Sequence, residues 1–208
     1  ERDTARGMEL AENCELTAIA GRTLEKAQQF KEKYGFEKAY GSYEELLTDP
    51  EIEAVYIPLP NTMHYEWTIK ALKSGKHVLC EKPLAPTEAQ AKEMFAAAEE
   101  NHVYLMEAFA YQHSPYLTAI REEIKNGTIG DIRYMESAYI TSDYNKNNIR
   151  MRRDTLGGCT YDLGVYNTSL ILRTLAEEPT EIRAIASFSE EKIDKFTSVI
   201  MEYGDGKK

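Results

Sequence analysis

The sequence predicts an α/β fold: a parallel sheet interleaved with helices, followed by an α+β unit whose sheet is open and mostly antiparallel. Three observations lead there. Short apolar runs in the first half are separated by segments of helical period, about 10–15 residues long, the rhythm of βαβ units. The second half carries longer runs with period-two alternation, as in an antiparallel sheet with one solvated face. The change falls near His113, dividing the 208 residues into domains 1–113 and 114–208.

Each element has its own signal. Thr4 to Glu12 reads as the end of a helix, and Glu15 to Ala20 as a strand closed by Gly21. Leu24, Ala27, Phe30 and Tyr34 recur at helical spacing before Gly35, a C-cap. Ser42 and Glu45 make a capping box for a short helix to Leu47. Glu53 to Ile57 is a strand running into Pro58-Leu59-Pro60-Asn61, and His64 to Lys73 is the helix after it. His77 to Cys80 is a buried strand, Thr87 and Gln90 open a helix to Asn101, and Val103 to Glu107 is the next strand.

Beyond His113, Ser114-Pro115 starts a helix through Ile124. Ile132 to Ile140 alternates as a half-buried strand, with Ile132, Tyr134, Ala138 and Ile140 on one parity. Tyr161 to Leu175 is helical, and Glu181 to Ser189 and Phe196 to Tyr203 are strands. The opening helix has no strand before it, and Tyr203 to Lys208 is a hairpin turn without its return strand. The first strand of the parallel sheet and the end of the second sheet are therefore expected outside these residues, with the chain extending both ways.

Composition excludes several classes. Hydrophobic residues at 42% and charged residues at 29% describe a soluble globular chain. A net charge of −10 without a dense basic cluster argues against nucleic acid as a partner. No apolar stretch reaches bilayer length, so no membrane partner is expected. The cysteines (Cys14, Cys80, Cys159) are odd in number and widely spaced, and the four histidines lack ligand spacing. We expect no metal site and a reducing, cytoplasmic compartment.

The chemistry concentrates in three places. At Glu81-Lys82-Pro83 a lysine leaves a buried strand at what would be the carboxyl edge of the sheet, where open α/β sheets bind ligands. Burying an ammonium is unfavourable unless it is paired, and Glu81 is a ready counter-charge. The bland alternative is a lysine running out into solvent. At Pro58-Leu59-Pro60-Asn61, with His64 three residues on, two prolines stiffen a ledge on which a cofactor ring can rest; helix capping explains Asn61 equally well. At Gly157-Gly158, two glycines permit close backbone approach before a helix that carries Asp162 and Tyr166 four apart. A carboxylate and a phenol beside a lysine make a proton-handling group, with Lys82 expected to lower the Tyr166 pKa. A hydrogen-bonded pair that merely pins the helix is the alternative.

Two further features bear on a cofactor. The strand ending Ala20-Gly21-Arg22-Thr23 has no acid at its end, and Arg22 with Thr23 suits the 2′-phosphate of NADP better than the bare ribose of NAD. No G-x-G-x-x-G fingerprint occurs in these residues. The basic run Arg150-Met151-Arg152-Arg153 is short and followed by Asp154, and reads as a solvated loop before an anion site.

Taken in order, Glu81-Lys82-Pro83, Pro60-Asn61-x-x-His64, Met106-Glu107-Ala108-Phe109 and Gly157-Gly158 leading to Asp162-x-Gly164-x-Tyr166 resemble the glucose–fructose oxidoreductase / inositol dehydrogenase (Gfo/Idh/MocA) family over nearly the whole chain. Tyr166 stands where many members carry histidine. That resembles the branch with NADP-dependent xylose dehydrogenase and trans-dihydrodiol dehydrogenase. The resemblance implies a Rossmann-type domain followed by an α/β domain with an open mixed sheet. It also implies hydride transfer between NADP(H), with NAD(H) possible, and a hydroxyl or carbonyl of a sugar, polyol or related cyclic alcohol. Lys82, Tyr166 and Asp162 would be catalytic. Arg22, Thr23, Pro58, Leu59, Asn61, His64, Glu81, Lys82 and Glu107 would meet the cofactor, and the second sheet would build a homo-oligomer, dimer or tetramer. A redox-recycling sugar lyase or hydrolase, and a non-catalytic NADP sensor, are the alternatives. Position 112 is Gln where the branch often has arginine.

Overall fold

A computed structural model describes residues 2–142, 145, 147–204 and 206–207. Its contacts divide into two compact units. One comprises Glu1–Leu59, Met63–Cys80 and Thr87–Met106; the other comprises Pro60–Thr62, Glu81–Pro86 and Glu107–Lys208.

The first unit alternates helices and short parallel strands: α1 (Arg2–Leu10), β1 (Ala18–Ala20), α2 (Leu24–Tyr34), β2 (Lys38–Tyr40), α3 (Tyr43–Thr48), β3 (Ala54–Ile57), α4 (Asn61–Lys73), β4 (His77–Cys80), α5 (Glu88–Glu100) and β5 (Leu105–Glu107). Strands β1 and β2 pair in parallel, Ala18 opposite Lys38 and Ala20 opposite Tyr40. A second sheet has the order β3-β4-β5, with Ala54 opposite His77 and Ile57 opposite Cys80. Strand β2 is absent from the sequence reading because three residues beginning with lysine carry neither an apolar run nor a period.

The helix ends follow their side chains. Thr23 caps α2 by accepting the Lys26 N–H, and Gly35 ends it at φ 77° with its own N–H on the Lys31 carbonyl. Ser42 caps α3 through the Glu45 N–H, but the Glu45 carboxylate returns to the Gly41 N–H at 3.1 Å, one residue beyond a standard capping box. Leu72 and Met94, both at 0% exposure, pack with Trp67, Ala71, Val78 and Cys80 as the core. The apolar faces of α4 and α5 thereby find the sheet their periodicity requires.

The second unit contains α6 (Pro115–Lys125), α7 (Val165–Leu175), β6 (Glu181–Phe188) and β7 (Asp194–Glu202), with short 3₁₀ turns at Ala110–His113, Ile149–Met151 and Arg153–Thr155. β6 and β7 form an antiparallel hairpin from Glu181–Glu202 to Phe188–Asp194, with a bulge at Ser187/Phe188. The strand expected at Ile132 to Ile140 does not form. Alternation alone cannot make a strand; a ladder needs a partner's N–H and C=O groups, and among the described residues none pairs with this segment. Burial does not follow the alternation either: Tyr134 and Ile140 are 66% and 89% exposed, whereas Ile132, Met135 and Ser137 are half-buried. The expected closing turn includes Asp205 and Lys208, which lie outside the described residues. Beside them the Tyr203 N–H reaches the Lys207 carbonyl at 3.1 Å.

Candidate active site

Lys82 stands two residues past β4 in the turn Glu81–Pro86, where the Lys82–Pro83 bond is cis. The turn is fastened by polar contacts within the second unit. The Leu84 N–H donates to Glu107 Oε1 at 2.8 Å, and the Tyr161 hydroxyl donates to the Pro86 carbonyl at 3.0 Å. Lys82 Nζ donates to both the carbonyl (2.6 Å) and Oδ1 (2.8 Å) of Asp162. The two side chains are 11% and 19% exposed, so the pair is largely desolvated. Charge-assisted bonds of this kind are about twice as strong as neutral ones, which fixes the ammonium in direction as well as position.

Asp162 reaches Lys82 because the chain enters α7 through a π turn, Thr160–Gly164. A π turn replaces i−4 bonds with i−5 bonds and so re-aims its carbonyls. The turn is set from below by Asp194 of β7. Asp194 Oδ2 accepts the Thr160 N–H (2.7 Å), the Thr160 hydroxyl (2.6 Å), the Cys159 thiol (3.0 Å) and the Thr197 hydroxyl (3.0 Å). Burial opposes the Asp194 charge, but the bonds from Cys159, Thr160 and Thr197 outweigh it and hold the carboxyl below its usual range. Burial and the same carboxylate push the Cys159 thiol up, away from nucleophilic use. The glycine pair is a packing requirement. A Cβ on Gly157 would lie 2.4 Å from the Arg150 carbonyl oxygen, and one on Gly158, at φ +122°, would lie 2.0 Å from Asp194 Oδ1.

Tyr166 lies on the first turn of α7, with Lys82 Nζ over its ring at 4.9 Å from the centroid. Phe109 meets the ring edge-on at 5.5 Å, and Tyr139 and Tyr111 lean on it at 5.9 and 6.0 Å. Burial raises the Tyr166 pKa above its usual 10, the charge of Glu81 and the neighbours Tyr139 and Asp162 raise it further, and Arg150 opposes them. The expectation that Lys82 would lower this phenol is therefore overturned: the ammonium faces the ring, and burial with nearby acids decides the sign.

The donor set is complete enough to compare with known proteins. A profile described as the oxidoreductase family with an NAD-binding Rossmann fold matches residues 2–109, and the GFO/IDH/MocA C-terminal domain matches residues 117–208. The chain belongs to the Gfo/Idh/MocA oxidoreductase family. Trans-1,2-dihydrobenzene-1,2-diol dehydrogenase of Mus musculus is 35% identical over 195 residues, covering 92% of this chain and 58% of the relative. dTDP-3,4-didehydro-2,6-dideoxy-alpha-D-glucose 3-reductase of Actinomadura kijaniata is 40% identical over 152 residues, 73% of this chain and 46% of the relative. A crystal structure of a 3-ketoreductase from A. kijaniata, solved with NADP and TDP-benzene, superimposes with a TM-score of 0.88 at 31% identity, covering 98% of this chain and 62% of that one. The chain thus spans about three fifths of its relatives' length, for example 59% of an uncharacterized oxidoreductase of Rhizobium meliloti.

Within this Gfo/Idh/MocA chain, Lys82, Asp162 and Tyr166 come together as the sequence expects. The counter-charge in hydrogen-bond contact with Lys82 is Asp162, while Glu81 acts on Tyr166. Glu107 fastens the lysine turn through the Leu84 N–H; burial pushes its carboxyl up against that bond and the charges of Arg173 and Lys82. Asn61 Nδ2 donates to the Leu156 carbonyl at 3.0 Å. His64 is fully buried and its Nε2 lies 2.7 Å from the Leu59 carbonyl. Its ring is buried against the Leu59 end of the Pro58–Leu59 ledge. Arg22 and Thr23 sit at the end of β1 in the first unit, Arg22 exposed.

The sequence reading missed three contributions. Arg150, set aside in a basic run, donates from Nε to Asp162 Oδ1 at 2.9 Å. Asp194 carries no local motif and reaches Thr160 across 34 residues. Tyr111 and Tyr139 complete the aromatic wall; the aromatic spacing on their own segments gave no sign of a shared centre.

Proposed function

We propose that the protein is an NADP(H)-dependent oxidoreductase that reduces a carbonyl, or oxidises the matching hydroxyl, on a sugar, polyol or related cyclic alcohol. The observation that carries this reading is Lys82 Nζ held by the carbonyl and carboxylate of one residue, Asp162. An ammonium has three N–H donors. Asp162 takes two, which leaves one for a substrate oxygen. There it would stabilise negative charge as it develops in a site with little water, the usual source of large rate effects.

Tyr166 is the proton donor in this reading. Its raised pKa keeps the phenol protonated through the neutral range, which suits carbonyl reduction: the O–H gives its proton to the forming alkoxide. Asp162 positions the lysine, and the wall of Phe109, Tyr111 and Tyr139 offers apolar faces to a ring-shaped substrate. The cofactor fits the donors present. Arg22 offers an exposed guanidinium, and the Thr23 hydroxyl, accepting from Lys26 N at 3.3 Å, keeps its proton to donate. Together they would hold a ribose 2′-phosphate, the chemistry that separates NADP from NAD. When bound, the nicotinamide supplies or takes up the hydride at the carbon bearing the substrate oxygen.

The printed substrates of the relatives, a dihydrodiol and a deoxysugar nucleotide, support a cyclic alcohol or ketone. Three free cysteines support a reducing cytoplasmic compartment, and the uncovered β6–β7 sheet supports a homo-oligomer, dimer or tetramer. Among the described residues no helix is long and apolar enough to cross a membrane.

The test is Lys82→Met in the intact protein. We expect kcat/KM to fall by about a hundredfold or more, while NADPH affinity by fluorescence titration stays within about threefold. Near-normal turnover would remove Lys82 from the chemistry.

A further inference from the structure

Asp162 Oδ1 is shared. It accepts Lys82 Nζ at 2.8 Å and Arg150 Nε at 2.9 Å. Nothing about loop architecture requires the second bond. The Arg150 backbone is already anchored: its N–H donates to Asn148 Oδ1 at 3.0 Å and its carbonyl accepts the Gly158 N–H at 2.8 Å. The neighbouring Gly157 N–H holds the Arg152 carbonyl at 2.8 Å, and the Thr155 hydroxyl reaches the Arg152 carbonyl at 3.1 Å. Nor is burial the reason, since the Arg150 side chain is 53% exposed against 19% for Asp162. The guanidinium is thus a spare cation aimed at the carboxylate that holds the lysine.

We propose that Arg150 is a positioning residue for the reaction: by occupying Asp162 Oδ1 beside Lys82, it holds the carboxylate in one rotamer and keeps one lysine N–H unclaimed for the substrate. This rests on the functional reading above and deepens it. Without Arg150 the carboxylate is opposed by a single cation. It is then free to turn both oxygens toward Lys82 and to take up the donor that the substrate needs. The field at Tyr166 changes too. The charged or titratable groups facing that phenol are Glu81 and Lys82 from the turn after β4, Asp162 from the π turn, Arg150 from the 3₁₀ turn, and Tyr111 and Tyr139 from the aromatic wall. Arg150 is a cation of this set, and its charge favours the phenolate.

The test uses Arg150→Gln and Arg150→Lys in the intact protein, with two readouts. In protein carrying 3-fluorotyrosine, the ¹⁹F resonance of position 166 is assigned by its loss in Tyr166→Phe and titrated with pH. Arg150→Gln should move its midpoint upward by about half a pH unit, as removal of a unit charge several ångströms away requires. Arg150→Lys, which restores the charge, should return most of it. In steady-state kinetics Arg150→Gln should lower kcat by about tenfold with substrate KM and NADPH affinity nearly unchanged, the pattern of a bond that matters at the transition state. A Tyr166 midpoint that does not move, or a loss confined to KM, overturns the proposal. If Lys82→Met stays active while the Tyr166 midpoint still shifts in Arg150→Gln, the functional reading fails and the electrostatic link stands.

Discussion

Glu107 fastens the turn that carries Lys82 through the Leu84 N–H. Its carboxyl is half-buried, and the lost solvation raises its pKa above 4.5 despite the Leu84 N–H and the charges of Arg173 and Lys82. A carboxyl whose folded pKa is raised favours the fold while protonated and loses that contribution as pH rises through the shifted value. Glu107→Gln keeps the oxygen that accepts the Leu84 N–H and removes the ionisation. We expect the variant to match the parent in urea unfolding near pH 4 and to exceed it at pH 8; a lower stability at pH 8 would assign the raised pKa no energetic consequence. Tyr166 follows the same sign: its stabilising neutral form is present below pH 10 and lost as pH rises beyond it. Lys82, Asp162 and Tyr166 were legible in the sequence because a lysine at a strand end and an i, i+4 acid–phenol pair are local patterns. The direction of the Tyr166 shift was not, because it depends on Glu81, Tyr139 and ring burial from separate segments.

At the scale of elements, the approach to α7 carries the design. The Gly157–Gly158 pair lets the Arg150–Arg152 backbone and Asp194 close on the start of the π turn. Gly157→Ala places a methyl 2.4 Å from the Arg150 oxygen and 2.7 Å from that of Arg152, both backbone atoms that cannot swing aside. We expect a loss of about 1–3 kcal/mol in stability, read from the urea midpoint at unchanged m-value. An unchanged midpoint would show that the loop is looser than its hydrogen bonds suggest. The glycines were visible as a signal for close approach, but not what approaches. The helices of the first unit were legible because caps such as Thr23, Ser42 and Thr87 and the helical period are local. Ile132 to Ile140 failed as a strand because alternation specifies a face only once a partner strand exists.

Across the whole molecule, apolar burial is uneven. The first unit has a closed core around Leu72 and Met94, whereas the β6–β7 hairpin presents Ile185, Phe196 and Ile200 at 71%, 56% and 56% exposure. By the pairing of Arg183 with Ile200, Ile185 with Ser198 and Ser187 with Phe196, these three share one face. A contiguous apolar face of this kind marks an interaction surface. Replacing Ile185 and Ile200 together by Lys should shift the intact protein to a smaller species in size-exclusion chromatography with light scattering. An unchanged mass would overturn the proposed oligomer contact at this face.

What lay in the linear order of residues was the βαβ rhythm, the family motifs and the three side chains of the proposed site, because each is set by neighbours within a few positions. Distance in the chain hid the rest. The pairing of Lys82 with Asp162 spans 80 residues, and the hold of Asp194 on Thr160 spans 34. Such contacts exist only after the backbone has closed. Closure also decides which polar groups lose water, and so which carboxylate answers the lysine and which way the phenol titrates.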